Sequence, residues 1–461
     1  MKTYYLWTIG CQMNDADAAR AGDGLAGLGL LPVSDPTQAD LVVLITCVVR
    51  QSAEDRVVGR LSSLKHLKRT RPTTAVVVMG CFVHDVPDLR ERFRYVDAFL
   101  AASDVPGLLD FARSLLSAGE AAPAQSASRE RSASVCAMVP ISQGCDHHCT
   151  YCIVRLRRGK QSSRPLVAIL QEVQNLVERG AREVTLLGQN VDAYGKDLPG
   201  QVPDLADVLT AVHAVQGLWR VRFLTSHPAH MSDKLVGTVS QLPKVCPHVE
   251  LPVQAGDDAV LQRMGRGYGV AHFRQLVARI REQVPGASVA TDVIVGFPGE
   301  SDAQFQGTYD LVASLHFDAV HIAKYSPRPG TPSARLPDDV PPAEKERRRL
   351  LLEQLQTRIA LEINQSMLEQ AVDVLVEESS RGKWRGRSMN NRLVFFVDDT
   401  SNWKGCIARV RIGSAGPWSL SGQLLSQQPD WDPIAKTAEI AEGTLGHSSR
   451  GSGAFSANSA G

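Results

Sequence analysis

Three apolar runs near the amino terminus, Tyr4 to Ile9, Leu41 to Ile45 and Ala75 to Met79, are each followed within two residues by a cysteine. The runs are short and rich in Val, Ile and Leu. Helix-like stretches near Asp15 to Leu30 and Ser52 to Arg69 separate them, which is the rhythm of a βαβαβ unit with buried parallel strands. In such a sheet the carboxyl ends of all strands lie on one edge, where open α/β folds bind ligands. The pattern predicts that Cys11, Cys47 and Cys81 converge although they are distant in sequence. Free cysteine is also common as a small buried hydrophobe, so ordinary core thiols are the competing explanation.

A second thiol set is local. The run ISQGCDHHCTYCIV places Cys145, Cys149 and Cys152 in a C-x3-C-x2-C spacing. Three thiolates this close can hold three irons of a four-iron cluster, which otherwise takes four protein thiolates. The remaining iron would offer an exchangeable position to a small molecule. A structural zinc site closes with four ligands, commonly as paired C-x2-C, and His147 and His148 add no second pair. A disulfide framework fits poorly with nine cysteines, an odd count, in a chain without a secretory signal. Cys136, Cys246 and Cys406 follow neither pattern and are expected to be structural.

At roughly 150 residues per domain, 461 residues suggest about three domains. The first is expected over residues 1–118, followed by a linker of small and polar residues over 119–134. Strand candidates at Glu183 to Leu187, Arg220 to Leu224, Val249 to Val253, Ser288 to Val295 and Ala319 to Tyr325 alternate with helix patterns. They predict a (β/α) barrel or partial barrel over 135–365. The polar segments after these strands, among them Gly188-Gln189-Asn190 and Thr225-Ser226-His227-Pro228, would ring one mouth together with the Cys145 loop. His227 could be an acid, a hydrogen-bond donor or purely structural. A charged, Leu-rich helix from Pro341 to Gln370 closes the barrel. Short strands at Val372 to Val376, Arg392 to Val397 and Cys406 to Ile412 read as a small closed β-barrel over 366–426.

Fifty Lys and Arg against 49 Asp and Glu give a net charge of +1, so affinity for nucleic acid must come from local patches. One such patch is the run Arg381, Lys383, Arg385, Arg387, Arg392, Lys404, Arg409 and Arg411, with Trp384 and Trp403 interleaved. Basic side chains can hold phosphates while an aromatic stacks a base, or the same residues can be an ordinary solvated face. Residues 427–461 are low in complexity and expected to be disordered. No apolar stretch approaches the roughly 20 residues of a membrane span, so a soluble, cytoplasmic protein without a membrane partner is expected.

The sequence resembles the radical S-adenosylmethionine (SAM) methylthiotransferases from TIGCQMN to the C-terminal barrel. The radical-SAM signature is Cys145, Cys149 and Cys152. LLGQNVDAYG, FLTSHP, LPVQAGDDAVLQRMGRGY, TDVIVGFPGES and YSPRPGTPSA resemble the branch that modifies N6-dimethylallyladenosine beside the tRNA anticodon. Sister branches act on a ribosomal protein or on threonylcarbamoyladenosine and differ at GQNV and TSHP.

The resemblance implies an α/β chain with a doubly wound N-terminal domain, a partial radical-SAM barrel and a TRAM-like RNA-binding barrel. It implies two [4Fe-4S] clusters, one on Cys145, Cys149 and Cys152 with SAM at its open iron, and an auxiliary one on Cys11, Cys47 and Cys81 that carries sulfur. SAM would serve as methyl donor and as the source of a 5′-deoxyadenosyl radical, which suits an adenine C–H with no acidic proton. Tyr151 would lie near the SAM adenine, Gln189 and Asn190 would contact SAM or substrate, and Ile294, Gly296 and Glu300 would border the SAM nucleoside. The implied partner is tRNA carrying N6-dimethylallyladenosine; an electron donor is also required, and the oligomeric state is not set by the resemblance, a monomer being expected. Arg155 and Leu156 stand where the family more often has Pro-Tyr. Extra charge at Arg155, Arg157, Arg158, Lys160 and Arg164 could meet RNA phosphates or remain a solvated loop.

Overall fold

The computed structural model describes residues 2–49, 51–117, 133–200 and 202–428. Most of the expected linker and nearly all of the expected tail lie outside the described residues.

The first domain is a five-stranded parallel sheet built from β1 (Thr3–Thr8), β2 (Leu31–Pro32), β3 (Leu41–Thr46), β4 (Ala75–Gly80) and β5 (Ala98–Leu100), in the order β2-β1-β3-β4-β5. Helices α1 (Gln12–Gly27), α2 (Gln51–Thr70), α3 (Val86–Arg92) and α4 (Val105–Ser117) cover it. Every residue of β3 and β4 is buried, and alternate side chains serve opposite layers. Val42, Leu44, Val76 and Val78 pack with Val57, Leu61 and Leu64 of α2. Leu41, Val43, Ile45, Val77 and Met79 pack with Leu25 of α1 and Leu108 of α4. This two-sided burial is why the strands read as continuous apolar runs.

The central domain contains β6 (Cys136–Pro140), a short antiparallel pair β7 (Ser142–Gln143) and β8 (Ser162–Ser163), and then β9 (Glu183–Leu187), β10 (Arg220–Phe223), β11 (His248–Glu250), β12 (Ser288–Val295) and β13 (Ala319–Lys324). Two three-stranded parallel sheets, β6-β9-β10 and β11-β12-β13, are joined by a parallel bridge between Val221 and Val245. The result is a six-stranded partial barrel. Its helices are α5 (Val154–Arg158), α6 (Leu166–Glu178), α7 (Leu205–His213), α8 (Asp233–Gln241), α9 (Asp258–Arg263), α10 (Val270–Gln283), α11 (Asp302–Leu315) and α12 (Pro342–Gln365). Reciprocal capping boxes, Asp204 with Asp207 and Ser301 with Gln304, fix where α7 and α11 begin. The first domain packs on this barrel through Met13 and Ala16 of α1, which bury against Leu187.

Five strands, β14 (Ala371–Ser380), β15 (Lys383–Arg387), β16 (Leu393–Phe396), β17 (Ile407–Ala415) and β18 (Leu420–Gln428), form the closed third domain. The last strand runs past the expected limit at 426. This small barrel docks on the amino-terminal ends of the central strands. Arg220 donates to the carbonyls of Arg387 (2.6 Å) and Asp373 (3.1 Å), and Arg222 to those of Ser388 (2.7 Å) and Met389 (2.8 Å). Glu183 accepts from Arg222 Nε at 2.7 Å, which balances charge that would be costly to bury alone.

Candidate active site

The opposite, carboxyl-terminal ends of the same strands wall a cavity of about 730 Å3. Cys11 and Cys47 lie on its wall from the first domain, and Cys145, Cys149 and Cys152 from the second. Cys81 sits just outside the lining and is buried.

The distant set converges because β1, β3 and β4 are adjacent and in register, so each cysteine follows its strand onto one edge. Gly10 has φ +131°, and a Cβ there would stand 2.3 Å from Cys47 Cβ and 2.9 Å from its Sγ. Only glycine allows that approach. A hydrogen bond from Cys47 leads in holding the Cys11 thiol below its ordinary value, and nearby Arg158 acts in the same direction against the effect of burial. Burial pushes the Cys81 thiol up.

The local set sits on a loop between β7 and α5 that is braced from several sides. Gly144, at φ +75°, would place a Cβ 2.1 Å from the Lys160 carbonyl, and its N–H donates to Gln189 Oε1 at 2.6 Å. Thr150 donates to the Met264 carbonyl at 2.9 Å and to the Arg263 carbonyl at 2.8 Å. Gln189 therefore ties down the cluster loop, a bracing role that the sequence reading did not give it. Arg266 was missed from sequence altogether. It is buried, donates to Cys149 Sγ at 3.3 Å and to the Pro252 carbonyl at 2.9 Å, and reaches the Tyr151 hydroxyl at 3.4 Å. Its place within LQRMGRGY, between two positive-φ glycines, was the available signal.

Tyr151 lines the cavity and packs against the cluster that includes Ala255, Met264 and Phe297. Ile294 packs on the same cluster. Gly296 (φ +71°) donates to Glu300 Oε2 at 2.5 Å, and Arg348 donates to the same carboxylate at 2.9 Å, so these residues hold a turn behind the cavity and are not among its lining. Asn190 does line it. Its amide donates to His230 Nδ1 at 3.0 Å, leaving Oδ1 without a hydrogen-bond partner among the described residues.

Three imidazoles gather beside the loop: His147 stacks on His227 with centroids 3.9 Å apart, and His230 lies 4.7 Å from His147. Burial holds His227 at about 2 and His230 at about 4, so both are neutral at physiological pH. Asp192, which accepts from Ser226 Oγ and the His227 N–H, is raised to about 7 by burial. In the lumen, Glu250 is likewise raised to about 7 by burial, with Asp292 contributing, and His321 stands 3.9 Å from it. Polar residues inside HVELPV and ATDVIV were the sequence signal for this acidic lumen.

Arg155 reaches the His148 ring and lines the cavity, while Leu156, its neighbour in the departure from Pro-Tyr, is exposed. On the small barrel, several expected RNA contacts are already engaged. Arg385 pairs with Glu378, Arg387 with Glu377, Arg409 with Asp373, and Arg392 with Asp318 in the domain joint. Trp403 is buried against Phe396, so it is not a stacking platform as the sequence suggested; burial of its ring outweighs exposure for a base. Arg381, Lys383, Lys404 and Arg411 have no ion-pair partner among the described residues.

The donor sets fit iron-sulfur clusters better than a single ion. Each is thiol-only, and among the described residues no three His, Cys, Asp or Glu side chains close around one metal position.

A family model described as the radical SAM superfamily matches residues 139–312, and one described as uncharacterized protein family UPF0004 matches residues 3–101. The protein is a radical SAM enzyme, a class that implies a [4Fe-4S] cluster and SAM. The tRNA-2-methylthio-N(6)-dimethylallyladenosine synthase of Roseiflexus sp. (strain RS-1) is 48% identical over 429 residues, covering 92% of this chain and 90% of the relative. That of Herpetosiphon aurantiacus is 45% identical, covering 92% and 98%. The chain belongs to the tRNA-2-methylthio-N(6)-dimethylallyladenosine synthase family. Among solved structures, the radical S-adenosylmethionine methyltransferase TsrM from Kitasatospora setae is 14% identical with a TM-score of 0.54, covering 72% of this chain and 74% of its own, a likeness of fold alone.

Proposed function

We propose that this chain methylthiolates C2 of N6-dimethylallyladenosine beside the anticodon of tRNA. Relatives 40–48% identical over most of the chain carry that activity in their names. The observation that carries the reading is one cavity walled by Cys11 and Cys47 on one side and by Cys145, Cys149 and Cys152 on the other. Sulfur delivery and hydrogen abstraction have to meet, and a shared cavity lets them.

In this reading Cys145, Cys149 and Cys152 hold the SAM-binding cluster and Cys11, Cys47 and Cys81 an auxiliary one. When bound, the clusters and SAM supply the hydrogen abstraction, the methyl group and the sulfur. The protein's own residues bind and orient. Gln189, Thr150 and Arg266 fix the Cys145 loop, Asn190 offers an acceptor to SAM, and Tyr151 walls the cavity with the Ile294, Gly296 and Glu300 turn behind it. Neutral His227 and His230 add no further cationic charge to that of Arg155 and Arg266 on the cavity wall. The first domain spans 1–118, the radical SAM core 135–365 and a TRAM-like barrel from 366 to the end of β18 at Gln428, whose unpaired Arg381, Lys383, Lys404 and Arg411 hold tRNA phosphates. The enzyme works as a cytoplasmic monomer fed by an electron donor.

Mass spectrometry of tRNA nucleosides from a deletion strain tests this. Loss of the 2-methylthio group with dimethylallyladenosine retained, restored by the intact gene and not by Cys47→Ala, is the expected result. An unchanged nucleoside profile contradicts it.

A further inference from the structure

Arg158 is the last residue of α5, in the radical SAM core, yet its side chain is spent in the other domain. The side chain is 2% exposed. It donates to Asn14 Oδ1 at 2.8 Å and to Ser103 Oγ at 2.9 Å, and stands 3.7 Å from the Asp17 carboxylate, which also accepts from Ser103. Asn14 in turn donates to the Ile9 carbonyl at 2.6 Å, clamping the end of β1 that leads to Cys11. The Asn14 backbone N–H also donates to the Cys11 carbonyl at 2.8 Å, so the guanidinium grips the residue that caps the Cys11 turn, and its charge acts to lower the Cys11 and Cys81 thiols. A buried cation has been brought across the domain boundary to the sheet edge of the first domain, where its charge reaches Cys11 and Cys81.

We propose that Arg158 is a positioning and tuning residue for the auxiliary cluster, raising its reduction potential from a place on the partner domain. The proposal rests on the reading that Cys11, Cys47 and Cys81 hold a four-iron cluster. Thiolate-ligated clusters become more negative on reduction, and their potentials follow net charge, so a buried guanidinium held by Asn14 and Ser103 beside this sheet edge favours the reduced form. Little solvent screens it. Asp17 opposes it as a buried ion-pair partner at 3.7 Å, so the guanidinium's pull on the cluster is what remains after that pairing. Because α5 starts two residues after Cys152, the same residue also ties the docking of the auxiliary site to the loop that carries the other thiols. An auxiliary site whose domain came undocked would lose its cation. Simple domain adhesion would need the bonds to Asn14 and Ser103 but not the charge.

The test uses the full chain carrying Cys145→Ala, Cys149→Ala and Cys152→Ala, so that one cluster is read by EPR-monitored potentiometric titration after anaerobic reconstitution. Adding Arg158→Gln is expected to lower the midpoint, leaving the cluster about tenfold less reduced at a fixed potential, about 59 mV for one electron. Arg158→Lys should retain most of the wild-type value. An unmoved midpoint in Arg158→Gln, with iron and sulfide content unchanged, overturns the proposal. Should Arg158→Gln lose its iron, Asp17→Asn gives the answer with the opposite sign: freeing the guanidinium of its opposing carboxylate should raise the midpoint, and an unchanged or lower value overturns the proposal. A parent protein that takes up no iron removes the auxiliary cluster itself, whereas an iron-loaded parent with an unmoved midpoint removes only the tuning.

Discussion

The Asn190 side-chain amide donates to His230 Nδ1 at 3.0 Å, and that bond decides which end of the amide is left free at the cavity wall. With His230 neutral, the end left without a partner is the buried Oδ1 acceptor, which a small shift of the side chain would offer to an ammonium donor such as that of SAM. His230→Leu should release the amide and weaken SAM binding by about 1 kcal/mol, roughly fivefold in Kd, read by calorimetry on anaerobically reconstituted protein. Because burial holds His230 at about 4, the same affinity should be flat between about pH 6 and 8. An affinity unmoved by the substitution would place the ammonium elsewhere.

Gly10→Ala should empty the distant thiol site. The new Cβ would meet Cys47 Cβ at 2.3 Å in a backbone conformation that L residues avoid. Iron and sulfide analysis should fall to the content of the Cys145, Cys149 and Cys152 site alone. Gly29→Ala, at φ +83° with open space around it, carries the backbone strain without the collision and should keep both.

Arg222 joins the central and small barrels through Glu183 and two carbonyls. Removing one partner of a buried ion pair costs about 3–5 kcal/mol, so Arg222→Met should lower the unfolding midpoint and expose the small barrel to protease. A midpoint within the error of wild type would show that this joint contributes little.

His248 lies in the same joint, near Asn391, and burial together with Arg222, Arg387 and Arg392 depresses it to about 3. The unfolded chain takes up a proton near pH 6.5 that the folded joint refuses until about 3, so this contribution is full above 6.5 and is lost as pH falls towards 3. His248→Gln should flatten the slope of thermal stability between about pH 6.5 and 5. A slope identical to wild type would contradict the assignment.

Charge-neutralising Arg381 and Lys383 should reduce the slope of log tRNA affinity against log salt by up to about 0.7 to 0.9 per lost phosphate contact. Arg385→Gln and Arg387→Gln should change it less, because Glu378 and Glu377 already engage those cations. Filter binding across a salt series separates the two pairs.

Much of the architecture was legible in the chain. Runs such as LVVLIT and AVVVMG are buried on both faces, so their position could be read without knowing the partners. The convergence of Cys11 and Cys47 followed from parallel strand order. By contrast, β2 is two exposed residues and β5 three, too short to carry a period. β15 and β18 show no clean alternation, Leu425 of β18 being exposed, and took their pairing from barrel closure, which no local pattern announces. Helix α1 starts at Gln12, earlier than expected, because Cys11 serves as its N-cap without a side-chain cap bond. Arg266 escaped notice, and Arg158 was expected in a basic loop facing RNA phosphates or solvent whereas it is buried, for a shared reason: a buried arginine looks like a surface one until its partners, here more than a hundred residues away, are folded against it.

Within the joint between the central strands and the small barrel, Arg220 and Arg222 grip peptide oxygens. A main-chain oxygen is the same whatever side chain stands above it, so this attachment makes little demand on residue identity at positions 373, 387, 388 and 389. The outer face of the third domain is thereby released to diverge, and a lineage could refit it to a different stem or loop while its mounting stayed where it was.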